Sequence, residues 1–240
     1  MGARSGNERP LGAVPMAVLA AFIALLAFQV ACDRIARTDI AAGDTLQPPP
    51  DRRIVRIAAL GEPAPLARML TLRLQAQDYR SGSRSPYQRL DYAALEAWLA
   101  TLLDLDPRAQ YPLLLASRVY SDVPDEDKQR RMLAFVEREF AKDPDRRWPW
   151  LAQATIVAKH RLRDLPLARR YAHTLQAGVH PDRVPLWARQ MEVFILEDMN
   201  EFDAARIMLG GMLKEGGISD QDELRFLESK LEELREKAGR

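Results

Sequence analysis

The chain has 240 residues, enough for one or two ordinary domains, and its 47% hydrophobic and 29% charged content is typical of a globular protein with a part in a membrane. Its formal net charge of +1 provides no general attraction to nucleic acid. The single cysteine, Cys32, excludes an internal disulfide framework and a cysteine-based zinc site.

An apolar segment lies close to the N-terminus. After a tail at 1–10, residues 11–32 read LGAVPMAVLAAFIALLAFQVAC and contain no charged side chain. About 20 apolar residues in a helix cross a hydrocarbon core of roughly 30 Å, so 11–32 is predicted to be a transmembrane signal anchor. A cleavable signal would have a shorter apolar run and a small residue in place of Gln29.

Two properties of this segment stay open. The residues VAC before Asp33 resemble the end of a bacterial lipoprotein signal, whose cysteine is lipidated, although Gln29 stands where that signal has leucine. Two arginines precede the segment and two follow closely, so the positive-inside comparison is nearly a tie. A short tail inside and a long domain outside is the usual arrangement, so we expect a single-pass bacterial inner-membrane protein with a periplasmic C-terminal domain.

Residues 33–62 are predicted to form a linker. The stretch AAGDTLQPPPDRR combines a glycine with three consecutive prolines, which favour extended chain. Residues 53–60, RIVRIAAL, fit either a short strand or a segment packed on the first helix of the following domain.

From residue 63 onwards apolar residues recur at spacings of three and four, so the fold class is all-α. Residues 63–218 contain a repeat, because Pro107, Pro144 and Pro181 are each 37 positions apart. Aligning the segments at that offset produces two apolar columns, Leu113 with Trp150 and Trp187, and Val119 with Ile156 and Val193. A period of this length is typical of stacked helix pairs.

The segment at 143–178 is the clearest helix pair. Asp164 is predicted to cap the second helix, with Pro166 in its first turn. The two apolar faces are predicted to pack together, with tryptophan opposite alanine, and consist of Trp150, Leu151, Ala154, Val157 and Ala158 on the first helix and Leu167, Ala168, Tyr171, Ala172 and Leu175 on the second. Residues 219–240 are predicted to form a capping helix that begins with Ser219 and Asp222 and buries a leucine stripe.

These blocks resemble tetratricopeptide repeats over roughly residues 90–215. Trp150 and Trp187 match the family's early aromatic residue, the prolines match its ending, and Ala168, Ala172, Ala204 and Ala205 match the alanines of its second helix. The family's Leu-Gly pair is missing, and the period is 37 residues rather than the family's 34. The resemblance implies antiparallel helix pairs stacked as a short α-solenoid whose concave face binds peptides or proteins.

The sequence contains no recognisable catalytic pattern. His160, His173 and His180 are 13 and 7 positions apart, which does not suit a metal pair on one helix. No phosphate-binding loop or nucleophile motif is present, so we expect no enzyme activity, metal or cofactor. Gly210 and Gly211 fall inside a predicted helix, where a role in close packing or kinking is expected.

Charge is unevenly distributed. Residues 146–170 contain seven basic side chains and one acid, whereas 192–237 contain 13 acids and six bases. These groups either neutralise each other or form solvated faces, or else the basic ones form a groove for an acidic peptide, a terminal carboxylate or anionic lipid headgroups. The predicted partner-binding residues are Arg161, Arg163, Arg169, Arg170 and His173. Nucleic acid is not expected, because the aromatic residues follow the apolar stripe rather than the arginines.

The leading interpretation is a membrane-anchored helical-repeat scaffold that mediates protein–protein interaction in a bacterial envelope assembly. Two alternatives remain open. The protein could be a regulatory subunit of an envelope enzyme, or a lipid-anchored structural protein that associates with itself.

Overall fold

The computed structural model describes residues 15–40, 46–78, 86–215 and 220–239. Across these ranges all regular secondary structure is helical and no strand is present. The all-α prediction is therefore confirmed. The predicted tail 1–10, the start of the predicted anchor at 11–14 and Ser219 lie outside the described residues. The chain divides into an N-terminal unit up to Leu46 and a second unit from Gln47 onwards.

The N-terminal unit contains helix α1, Met16–Ile40. The large apolar side chains that the structure describes in this helix are exposed, among them Met16, Phe22, Ile23 and Leu25. Within the part of the chain that the structure describes, no helix has the length and apolarity needed to cross a membrane. α1 continues through the first eight residues of the predicted linker, because DRIARTDI contains neither glycine nor proline to end it.

Helix α2, Arg52–Ala58, also lies within the predicted linker. It begins at Asp51, whose carboxylate accepts a 2.7 Å hydrogen bond from the Arg53 amide. Val55 packs with Ala67 and Leu105, so the segment 53–60 is helical up to Ala58 and packs on the domain, and it is not a strand. The predicted linker thus contains two helical segments, and its residues 41–45 lie outside the described residues.

The second unit continues with ten helices in its described ranges. They are α3 Pro63–Asp78, α4 Tyr92–Leu105, α5 Tyr111–Leu114, α6 Glu126–Phe140, α7 Pro144–His160, α8 Leu165–Gly178, α9 Leu186–Arg189, α10 Met191–Asp198, α11 Phe202–Glu215 and α12 Gln221–Ala238. A π-helical turn at Leu115–Val119 continues α5. Short 3₁₀ turns occur at Pro86–Arg89 and Pro181–Arg183.

Helices that are close in sequence pack together. α3 packs on α4, α5 and its π turn on α6, α7 on α8, and α10 on α11, with α12 covering α11. We term α3, α5, α7 and α9 the first-helix row, and α4, α6 and α8 the second-helix row. Aspartate side chains cap α2, α4, α6, α8 and α12. At α12 the cap is Asp220, which accepts from the amides of Asp222 and Glu223.

Burial agrees only partly with the repeat columns. Leu113 and Val193 are buried, but Trp187 is 51% exposed and Ile156 is 41% exposed. The interior between α7 and α8 is filled by smaller residues and one phenol, namely Leu151, Ala154, Ala158, Ala168 and Tyr171. The expectation that tryptophans fill this interior is therefore wrong. The shorter side chains allow the two helices to approach, whereas the Trp150 indole is half-buried and donates to Gln110, outside this pair.

The leucine stripe of α12 is confirmed at Leu227 and Leu234, which are fully buried against α10 and α11, and Leu231 packs against the same cluster partly buried. The close-packing role expected for Gly210 and Gly211 is wrong. A Cβ atom added to either glycine would have no atom within 4 Å.

Candidate functional site

The predicted partner-binding residues lie at the end of α7 and along α8. Arg163, in the connection between the two helices, has a positive φ of 52° and is exposed. Asp164 then caps α8 by accepting a 2.9 Å hydrogen bond from the Leu167 amide, with Pro166 in the first turn. The capping prediction is confirmed.

Arg161 and Arg170 both form ion pairs within the chain. Arg161 pairs with Asp122 in the connection before α6. The Arg170 Nη2 atom lies 3.1 Å from the Glu137 carboxylate of α6, and its guanidinium stacks 5.1 Å from the centre of the Tyr171 ring. Both arginines are about half exposed, yet each joins two elements of the domain.

Arg169 and His173 face the opposite neighbour, α10. The Arg169 Nε atom is 3.4 Å from one oxygen of Glu192, and the His173 Nδ1 atom is 2.9 Å from the other oxygen. The Glu192 side chain is buried, so a carboxylate there needs these partners. The two residues therefore fasten α8 to α10.

Asp164 belongs to the same network. Its second oxygen accepts a 2.6 Å hydrogen bond from the Arg130 Nη1 atom of α6. The hydrogen bond from Arg130, followed by that from the Leu167 amide, holds the pKa of the Asp164 carboxyl below its ordinary value. Burial, reinforced by the nearby Glu137 carboxylate, raises the pKa of the Tyr171 phenol to about 12. Tyr171 is therefore a neutral core residue at physiological pH.

The structure thus divides four of the five predicted residues among three neighbours. Arg161 is directed to the chain before α6, Arg170 to α6, and Arg169 with His173 to α10. Among the described residues only Arg163 of this group has no ion pair. Opposite charges within the domain therefore engage four of the five residues, but only Arg169 and His173 meet an acid of the 192–237 segment.

A buried ion pair was missed by the sequence reasoning. The Arg147 guanidinium, 3% exposed, donates to the Glu139 carboxylate at 2.8 Å and to the Glu139 carbonyl at 2.7 Å. It also donates to the Pro107 carbonyl at 3.1 Å. One buried arginine therefore joins α6, α7 and the turn after α4. The sequence feature that could have predicted this contact is the spacing of 40 positions between Pro107 and Arg147, which is close to the repeat length.

A second site, also missed, is a cleft of about 510 Å³ between α3 and the start of α5. We term it the α3–α5 groove. Its apolar lining includes Ala67, Leu72, Leu102 and Pro112, and its polar lining includes Arg68, Thr71, Asp106, Arg108, Gln110 and Tyr111. Leu72 is 67% exposed, so the groove presents apolar surface to solvent.

The polar groups of this groove differ from those of α8. Arg68 and Arg108 are exposed, and within the described ranges neither has an ion pair. The Tyr111 hydroxyl accepts a 2.8 Å hydrogen bond from Gln75, and the Gln110 side-chain oxygen accepts a 2.6 Å bond from the Trp150 indole. The aromatic and amide groups are therefore held in place by neighbours, while the two guanidinium groups remain available.

The described part of the chain contains no recognisable arrangement of catalytic side chains. No group of three histidine, cysteine or acidic side chains there is arranged to hold a metal ion. His160, His173 and His180 are all exposed, as expected for surface and helix-end residues. Comparisons with protein families, with curated proteins and with solved structures give no match for this chain.

Proposed function

We propose that the protein is a membrane-anchored helical-repeat scaffold that binds another protein, with the α3–α5 groove as a binding site. The observation that carries this proposal is the coexistence, in one groove, of exposed apolar surface and two arginines that form no ion pair with the described residues. Exposed apolar patches rimmed by polar groups are typical of interaction sites.

Contacts at about one repeat length support the stacked arrangement. In the first-helix row, Gln75 contacts Tyr111 and Gln110 contacts Trp150, over 36 and 40 positions. The ring of Trp148 meets that of Trp187, 39 positions later, at 5.6 Å between centroids. These links join α3 to α5, α5 to α7 and α7 to α9 in turn, as a repeat of 37 residues requires.

The second-helix row has the same periodicity with different chemistry. Glu96 of α4 pairs with Arg131 of α6 over 35 positions, and Glu137 of α6 pairs with Arg170 of α8 over 33. Arg130 and Asp164 add a link over 34 positions. Both rows therefore support a tetratricopeptide-like stack, and Trp150 and Trp187 contribute to it by contacts with neighbouring repeats rather than by filling the interior.

The chemistry of the groove favours a partner segment that combines acidic and apolar side chains. A carboxylate would meet Arg68 or Arg108 through charge-assisted hydrogen bonds, and an apolar side chain would cover Leu72. Of the five predicted partner-binding residues, only Arg163 keeps a binding role in this proposal, because it has no ion pair in the described chain.

The membrane anchor at 11–32 remains part of the proposal. It is supported by the uncharged run of the sequence and by the exposed apolar side chains of α1. A bacterial inner membrane with a periplasmic domain is the arrangement we infer from a short tail and a long domain. A reporter fused to the C-terminus tests the orientation.

Site-specific photocrosslinking in native membranes tests the binding site. A photoreactive residue at Leu72 is expected to capture a defined partner whose crosslinked segment contains carboxylates. The matched control is Ile207 on α11, which is 68% exposed and lies outside the groove. Equal capture of the same partner at both positions would contradict the proposed site.

A charge reversal completes the test. Arg68→Glu is expected to abolish the crosslink at position 72, because it removes a cation that lines the groove. Arg73→Glu is the matched control, since Arg73 is also exposed on α3 and lies outside the groove lining. If both variants or neither variant lost capture, the role of Arg68 would be refuted.

A further inference from the structure

Helix α2 exposes an apolar row that the rest of the domain leaves uncovered. Ile54 is 62% exposed, Ile57 74% and Leu60, just after the helix, 89%. Val55, between them in sequence, points the other way and is buried with Ala67 and Leu105. A helix that is already anchored on one side thus turns three large aliphatic side chains to solvent.

Cations flank this row. Arg53 and Arg56 are exposed, and neither has an ion pair among the residues that the structure describes. Arg52 pairs with Asp104 at 2.9 Å but remains 68% exposed. The carboxylates at 51–62 are Asp51, which caps α2, and Glu62, so the surface of α2 is basic and apolar together.

This combination is characteristic of segments that lie in the interface of an anionic bilayer. Aliphatic side chains enter the boundary between headgroups and acyl chains, while arginines remain at the level of the phosphates. The basic charge of α2 complements the negative charge of such a surface, which favours lipid as the occupant.

The position of α2 in the chain agrees with this assignment. Arg52 follows Cys32, the last residue of the predicted anchor, by 20 positions, and the first eight of these are helical, so the connecting chain reaches at most about 55 Å. A domain tethered this closely to an anchor is kept at high effective concentration near the membrane surface.

We propose that α2 docks on the anionic bilayer surface through Ile54, Ile57 and Leu60, with Arg53 and Arg56 against lipid phosphates. The inference rests on the proposed membrane anchor and adds a second contact to it. Docking would fix one face of the helical domain against the membrane instead of leaving it free on its tether.

Fluorescence of the full-length chain in vesicles tests this docking. Ile57 is changed to cysteine in a Cys32→Ser background, labelled with a polarity-sensitive fluorophore, and quenched by brominated phosphatidylcholine within the bilayer. Ile207→Cys, similarly exposed on α11, is the matched control. Vesicles contain phosphatidylcholine alone or with phosphatidylglycerol.

Quenching at position 57 is expected in the vesicles with phosphatidylglycerol and not at position 207. In the labelled Ile57→Cys chain, Arg53→Glu with Arg56→Glu should lower the ratio of docked to undocked chains by at least about 30-fold, since each arginine near an anionic surface contributes about fivefold. Arg225→Glu on α12 should leave it unchanged. Equal quenching at both positions, or none at 57, would overturn the proposal.

Two further measurements distinguish a lipid surface from a protein partner of α2, and docking of α2 from anchoring by the N-terminal segment. Shielding of position 57 in native membranes but not in pure lipid vesicles would overturn lipid docking in favour of a protein partner. Flotation with vesicles at high salt reports the anchor alone. A chain that floats only at low salt, and only with anionic vesicles, would refute the anchor while supporting α2 docking.

Discussion

The two rows of helices are joined by different kinds of contact. In the first-helix row, amide and aromatic groups connect successive helices, as Gln110 does with Trp150 and Trp148 with Trp187. In the second-helix row, ion pairs such as Glu137–Arg170 and Arg130–Asp164 make the connections. Arginines of the second row are thus engaged internally, whereas Arg68 and Arg108 near the first row have no ion pair in the described chain.

The comparison shows that arginine density alone does not locate a binding surface. The segment 146–170 is the most basic part of the chain, yet four of its arginines, at 147, 161, 169 and 170, hold elements of the domain together. The α3–α5 groove has only two arginines, but no carboxylate of the described chain forms an ion pair with either. Availability of the charge, rather than its local density, distinguishes the two regions.

The largest effect is expected where an arginine is buried between the rows. Arg147→Ala should lower the free energy of unfolding by about 3 kcal/mol, because it leaves the buried Glu139 carboxylate with only Lys142 as a cationic partner. Chemical denaturation of the full-length chain in detergent measures the loss. Arg147→Met combined with Glu139→Leu should recover most of it, and failure to recover would indicate a different origin.

A double charge reversal tests the distinction between engaged and free arginines directly. Arg169→Glu with Arg170→Glu should cost about 2 kcal/mol, because it places carboxylates beside Glu192 and Glu137. Arg68→Glu with Arg108→Glu should change stability by less than about 0.5 kcal/mol. Similar losses in the two double variants, measured by denaturant unfolding, would contradict the distinction.

Two glycines, Gly178 and Gly211, differ in how closely neighbouring helices pack around them. At Gly178, the last residue of α8, an added Cβ would lie 2.9 Å from a ring carbon of Phe140 in α6, so Gly178→Ala should cost about 1 kcal/mol. Gly211→Ala, on the open side of α11, should instead stabilise by about 1 kcal/mol, because alanine favours the helix and meets no neighbour. Opposite shifts in thermal midpoint are the expected result.

The sequence was sufficient for features set by local chemistry. The all-α class, the Asp164 cap with Pro166 and the buried stripe of α12 follow from periodicity and capping residues over a few positions. α2 could not be decided locally, because only its contact with Ala67 and Leu105 selects a packed helix over a strand. The predicted positions of the indoles were wrong, because the repeat columns contain no information about which side chain fills the space between helices.

The candidate sites depend on contacts between helices that are distant in sequence. Arg170 meets Glu137 and Arg169 meets Glu192, and neither pairing is visible in local charge counts. Several of the ion pairs join opposite charges 33–40 positions apart. Comparing charges at about the 37-residue repeat length could therefore have predicted them, whereas counting charges over short windows could not. The α3–α5 groove had no such signal, because Arg68 and Arg108 are brought together by packing of α3 against α4.

The smallest expected effect concerns pH and the link between α6 and α8. Arg130 holds the pKa of Asp164 below its ordinary value of 3.8, so the folded state favours the ionised carboxylate. The stabilisation is therefore fully present above about pH 4 and is lost as the pH falls through the lowered pKa. Asp164→Asn keeps a capping side chain but removes the charge.

At pH 7, Asp164→Asn should lower stability by about 0.5 kcal/mol, since Arg130 is 42% exposed and solvent weakens the pair. The difference from the unmodified protein should shrink as the pH is lowered from about 5 to about 2, measured by denaturant unfolding at each pH. In Arg130→Met, the Asp164 pKa, followed by NMR of its carboxyl carbon, should rise towards its ordinary value. An Asp164 pKa that stayed low without Arg130 would assign the shift to the Leu167 amide, and the second-helix row would then lose one of its two links between α6 and α8.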